Sequence, residues 1–150
     1  MVERARFGMV FVVSLLSCGP GNRLSGRVTE ILDLNFESVR AVLQPGGLRI
    51  EYITLNGSRV SKTCRVAVDG RVLQADQTIL GGDDFLDFVT LNRSVELGEA
   101  FPRVIDGIFE VEGLDLTAPS DITGGFAVEF EDGRSLLGEF ATRTLLLDGE

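Results

Sequence analysis

The chain has no histidine and no tryptophan, and only one tyrosine and two cysteines in 150 residues. A single lysine, Lys62, stands beside thirteen arginines. Each scarcity narrows the function. Without histidine, the commonest general base and a principal metal ligand are missing. Without Trp, and with Tyr52 the one tyrosine, the aromatic platforms on which glycan recognition usually rests are nearly gone. Ser-Lys chemistry would have to use Ser61 and Lys62, which sit in SKTC, a stretch that reads as a solvated turn. No Gly-rich phosphate loop is present: Gly46-Gly47, Gly81-Gly82 and Gly124-Gly125 are isolated doublets without strand-loop-helix context.

What is present in excess is negative charge. Asp and Glu number 23 against 14 Lys and Arg, a net charge of −9. The acidity is spread along the chain and serves solubility. An overall field of that sign disfavours nucleic acid and anionic lipid.

The first residues differ in texture from the rest. Arg4 and Arg6 precede FGMVFVVSLL, Phe7 to Leu16, which is apolar apart from Gly8 and Ser14. A signal-peptide apolar region spans about 7–15 residues and a membrane-crossing helix about 20, so this stretch fits the first. Leu15, Leu16 and Ser17 then precede Cys18. This run resembles the lipobox of bacterial lipoproteins. The resemblance implies cleavage between Ser17 and Cys18, acylation of Cys18, and membrane attachment through that residue. Ordinary cleavage after Gly19 is the alternative, since Ser17 and Gly19 also form a small-x-small pattern. In the lipoprotein family an aspartate after the cysteine often marks retention in the inner membrane; Gly19 stands here, which leans towards the outer membrane. The expected organisation is a signal peptide at 1–17, a lipidated tether at 18–22 and one domain at 23–150. Loss of Glu3, Arg4 and Arg6 with the signal takes the net charge from −9 to −10.

With Cys18 acylated, Cys64 has no partner in the chain. In TCRVAVDG, Cys64 alternates with Val66 and Val68 on one side and Arg65, Ala67 and Asp69 on the other. That period-2 pattern predicts a strand with Cys64 facing a core as a small hydrophobe.

The remaining pattern is that of an all-β domain. Leu24 to Phe36 reads as a long first strand, unbroken or with a break near Glu30. Val39–Gln44 and Leu48–Leu55 flank Pro45-Gly46-Gly47, a hairpin turn. Asn56-Gly57 turns the chain again, and Asp69-Gly70 predicts a two-residue hairpin between Cys64–Val68 and Arg71–Gln74. Ile79 to Leu91 reads as a loop, a short strand or one helical turn near Asp83, and Val95–Leu97 as a short strand. Phe109 and Val111 point inward with Glu110 and Glu112 outward. Phe126, Val128 and Phe130 point inward before a turn at Asp132-Gly133, and Ser135–Leu147 returns as a long strand. Eight or nine strands with turns every 8–12 residues predict a single antiparallel β-sandwich, with a small barrel as the alternative. GRVTEILDLNFESV and GGFAVEFEDGRSLLGEFAT, with Gly125, Phe126, Val128, Phe130, Asp132, Gly133, Gly138 and Phe140, are similar to a group of uncharacterised β-rich lipoproteins of myxobacteria and their relatives. In that hairpin the Gly and Asp make turns and the Phe make core, so the likeness implies structure and no activity.

Candidate sites are few. Asp83, Asp84 and Asp87 cluster after Gly81-Gly82 and are the candidate ligands for calcium, which takes six to eight oxygens, although the spacing is not that of an EF-hand. The same acids suit a helix N-terminus. Glu110 with Glu112, and Glu129 with Glu131, lie at i, i+2 on outward faces, where charge serves solubility. The expectation is a non-catalytic, lipid-anchored module of the cell envelope that contacts an envelope protein. A calcium- or glycan-binding module is the rival.

Overall fold

The computed structural model describes residues 21–94 and 97–147. Among them nine strands form: β1 (Arg23–Ser25), β2 (Ser38–Gln44), β3 (Gly47–Asn56), β4 (Arg59–Asp69), β5 (Asp76–Gly81), β6 (Val89–Asn92), β7 (Val104–Leu114), β8 (Asp121–Phe130) and β9 (Ser135–Leu146). One helix, α1 (Asp83–Phe88), lies between β5 and β6. The all-β class holds. The strands run in one continuous order, β5-β7-β8-β9-β2-β3-β4-β6, with β1 also paired to β9. They form a single mixed sheet curled into a half-barrel. This replaces the two antiparallel layers of a sandwich, because β9 belongs to both halves. It pairs antiparallel with β8 from Ser135 to Arg143 and parallel with β2 at Thr144–Leu146. Strand twist curls such a sheet on itself and buries its concave face.

The core fills that concavity. Leu48, Ile50, Tyr52, Cys64, Val66, Phe109, Val111, Phe126, Phe130 and Phe140 are all buried in one cluster. Phe109 stacks on Phe140 at 6.0 Å, and Tyr52 meets Phe36 and Phe126 edge-on at 5.0 and 6.2 Å. The cluster, with its partly buried fringe, runs from Leu24 to Phe140. This core lies within residues 21–147.

An open sheet has two edges, here β5 and β6. They are consecutive in the chain, and α1 bridges them, packing on β5, β6 and β7. Its anchor is Phe85, buried against Gly107, where a Cβ would come within 2.5 Å of the ring. The middle segment, ambiguous in the sequence, thus resolves into strand, one short helix and strand.

Two expected elements differ. The long strand from Leu24 to Phe36 stops at Ser25. Gly26 adopts φ +117°, and a Cβ there would lie 2.5 Å from the Ser135 carbonyl oxygen. A 3-10 turn at Arg27–Glu30 follows and buries Val28, with Leu32 and Leu34 buried after it. Asp69-Gly70 is not a hairpin either. The Asp69 carboxylate accepts from the Arg71 N–H at 2.8 Å and starts a 3-10 turn, Gly70–Val72, that carries the chain to the opposite edge of the sheet. The hairpins at Pro45-Gly46 and Asp132-Gly133 form as expected. The strand expected at Val95–Leu97 falls mostly outside the described residues, as do the signal segment 1–17 and Cys18. Among the described residues no helix is long and apolar enough to cross a membrane.

Candidate functional site

The convex face of β2–β3–β4 carries a cluster that no local pattern announces. On β3, Leu48, Ile50 and Tyr52 point into the core, so Arg49, Glu51 and Ile53 point outward. Register then places Arg40 of β2 and Arg65 of β4 directly opposite Glu51 on either side. Arg49 stands two residues before Glu51 on its own strand. Lys62 faces Ile53, two residues beyond it. The result is a cross of four cations centred on one carboxylate.

Lys62 reaches this face through an irregularity. Alternation from inward Cys64 would turn Lys62 inward as well. A bulge between Tyr52 and Ile53 pairs Ile53 with Lys62 and leaves Thr63 as the extra residue. The Thr63 hydroxyl bonds Thr54 Oγ1 at 2.6 Å and the Asn35 carbonyl at 2.9 Å. Lys62 is therefore a strand residue beside Glu51 rather than part of a solvated turn, and Ser61 is buried.

Glu51 is fully buried, and Arg40, with 42% of its side chain exposed, donates from Nε to Glu51 Oε1 at 2.7 Å. A charge-assisted bond of that length offsets part of the cost of burying the carboxylate. The other oxygen, Oε2, has Arg65 Nε at 3.9 Å and Arg49 Nε and Lys62 Nζ at 4.0 Å. These approaches are electrostatic and too long for hydrogen bonds. Glu51 Oε2, Arg49 Nε and Arg65 Nε are all buried without a hydrogen-bond partner. One negative charge thus gathers four positive ones, and the side chains of Arg49, Lys62 and Arg65 remain partly exposed around it. In a chain of net charge −9, this is a local reversal of sign.

The residues singled out in the sequence are placed elsewhere. Asp83 and Asp84 form the first turn of α1, with Gly82 as the N-cap residue, and Asp87 follows a turn later. All three are exposed. Among the described residues no group of three or more Asp, Glu or Cys converges in a way that could hold a metal ion. Tyr52 is buried and cannot act as a glycan platform; its hydroxyl donates to the Glu139 carbonyl at 2.7 Å. Burial, then the neighbouring Cys64 and Glu139, hold that hydroxyl protonated, its pKa well above the usual value. Cys64 is a free, buried thiol whose pKa is pushed up by desolvation, as its alternation with Val66 and Val68 predicts.

Of the carboxylate pairs, Glu112 accepts from Gln77 Nε2 at 3.1 Å. Glu110 is buried, and burial followed by the charge of Glu112 raises its pKa. Across the sheet Glu110 lies opposite Gly125, and Gly125 opposite Glu139, so the convex face of β7–β8–β9 carries two buried carboxylates flanking a glycine. A separate hollow of about 360 Å³ is lined by Gln44 and Gly70 and, for the most part, by apolar side chains such as Leu43, Leu116, Leu146 and Leu147; it presents no ionisable side chain. Compared with known proteins, the chain matches no family model, no curated protein and no solved structure.

Proposed function

We propose that the chain is a lipid-anchored module of a bacterial cell envelope that works by surface contact rather than by catalysis, with Cys18 as the anchor and the convex face of β2–β3–β4 as the contact surface. The observation that carries the contact surface is the cross of Arg40, Arg49, Lys62 and Arg65 around the buried Glu51. Arginine is well suited to such a role because its planar, always-charged fork matches carboxylate and phosphate oxygens. The anchor rests on the basic start, the apolar run and Leu15-Leu16-Ser17-Cys18. Several acyl chains on one cysteine hold a protein firmly, whereas one chain holds it only marginally. The outer membrane is the favoured destination because Gly19 follows the cysteine.

The experiment is metabolic labelling with radioactive palmitate followed by fractionation. The natural protein should be labelled and should sediment with membranes. Cys18→Ser should lose both properties. An unlabelled natural protein would remove the anchor from this account.

A further inference from the structure

The described part of the chain emerges beside the cationic cross. β1 runs antiparallel to β9, with Ser25 opposite Leu137 and Arg23 opposite Glu139. Followed backwards, the chain reaches Asn22, whose side-chain Oδ1 accepts from the Ala141 N–H at 2.8 Å. β2 takes up the same edge of β9 a few residues further on, pairing Ala41 with Thr144. Between them the Thr142 hydroxyl donates to the Val39 carbonyl at 3.5 Å, and Arg40 follows Val39. The exit of the chain towards Cys18 is therefore next to the Arg40 arm of the cross. Asn22 is four residues after Cys18 in the sequence, a reach of at most about 13–14 Å.

From this juxtaposition we infer that the convex face of β2–β3–β4 is turned towards the membrane and that Arg40, Arg49, Lys62 and Arg65 bind the phosphate groups of anionic lipid headgroups. Three features favour this occupant. The cluster carries an excess of three positive charges over Glu51. Guanidinium groups bind phosphate oxygens through paired N–H donors, and the side chains of Arg40, Arg49 and Arg65 keep 42, 24 and 32% of their surface exposed around Glu51. An anchor this close to the cluster would hold phosphate groups beside it at high effective concentration. The net charge of the whole chain argues against anionic surfaces, but contact at a short tether is governed by charge within about a Debye length, ~8–10 Å. The choice of lipid over other phosphates rests on acylation of Cys18; the phosphate chemistry of the cluster does not.

The test uses residues 18–150 with Cys18→Ser, the processed chain without its acyl anchor. Co-sedimentation is measured with phosphatidylcholine vesicles, with and without phosphatidylglycerol, at low and raised salt. Binding is expected only with phosphatidylglycerol and should weaken with salt. Replacing Arg40, Arg49 and Arg65 together by Gln should weaken it about a hundredfold, at roughly a factor of five per charge. Glu51→Gln should tighten it about fivefold by removing the opposing charge. A merely structural cluster would not give these opposite responses, and circular dichroism checks that both variants are folded. No preference for phosphatidylglycerol, or equal binding by the triple variant, would overturn the inference. Binding to polyglutamate but not to vesicles would assign the face to an acidic protein instead. Full displacement from vesicles by inorganic phosphate at matched ionic strength would assign it to a small free anion. Vesicle binding that persists while palmitate labelling of the natural protein fails would remove the anchor and leave the headgroup site standing.

Discussion

The Tyr52 hydroxyl bonds the Glu139 carbonyl at 2.7 Å, joining β3 to β9 across 87 positions of sequence. The bond falls where β9 has left β1 at Glu139 and has not yet met β2 at Thr144. Backbone groups at such a gap need other partners, and burial makes an unmet one costly. Tyr52 serves Glu139, and Asn22 serves Ala141. Tyr52→Phe should therefore destabilise the domain by about 1–2 kcal/mol, the usual cost of stranding one buried carbonyl. Urea titration reads the loss as a lower midpoint with an unchanged slope. An unaltered midpoint would mean that the bond does not help to close the sheet.

The bridge between the two sheet edges depends on Phe85 lying over Gly107. A Cβ at Gly107 would fall within 2.5 Å of the Phe85 ring. Gly107→Ala should cost about 1–3 kcal/mol through overpacking, and Phe85→Leu in the same chain should recover part of it. Amide exchange in α1 should accelerate in the single variant and slow again in the double one. Additive losses would show that the two positions are not coupled.

Glu110 is buried with a raised pKa, burial being the first cause and Glu112 the second. The native state therefore holds a proton on Glu110 at pH values where the unfolded chain, near the ordinary value of about 4.3, has released it. Stability contributed by this group is greatest below the unfolded pKa and falls as pH rises through the folded one. Glu110→Gln should raise the denaturation midpoint at pH 7 and leave it unchanged in strong acid. A variant less stable at pH 7 would mean that the ionised form is supported by its surroundings.

Cys64 is buried, and desolvation raises its pKa. Thiolate is the reactive form, so the native protein should resist iodoacetamide at neutral pH and react promptly in denaturant. Modification of the native form at the unfolded rate would place Cys64 near the surface.

The parts of this fold that could be read from the sequence are those set by neighbours. Phe126, Val128 and Phe130 alternate around the turn at Asp132-Gly133, and Cys64 alternates with Val66 and Val68; both patterns carry their own register. Leu24 to Phe36 is harder to read because its apolar residues also suit a turn: Val28 and Leu32 are four apart, and Leu32 N–H bonds the Val28 carbonyl. Asp69-Gly70 has hairpin composition, yet Asp69 caps the turn at Arg71. The parallel β2–β9 pairing joins residues about a hundred positions apart and leaves no local trace. The cationic cross is hidden for the same reason. Arg40, Arg49 and Arg65 become neighbours only through strand register, and Lys62 joins them only because Thr63 is bulged. Net charge, the one global signal available, pointed away from this face.

The proposed working surface is the face around Glu51. Its most direct test is nuclear magnetic resonance of residues 18–150 with Cys18→Ser, observing backbone amides and arginine side-chain N–H groups as nanodiscs containing phosphatidylglycerol are added. Changes confined to Arg40, Arg49, Glu51, Lys62, Arg65 and their strand neighbours are the predicted result. Changes centred on α1 or on the hollow beside Leu116 and Leu146, with Glu51 and the four cations around it unmoved, would contradict it.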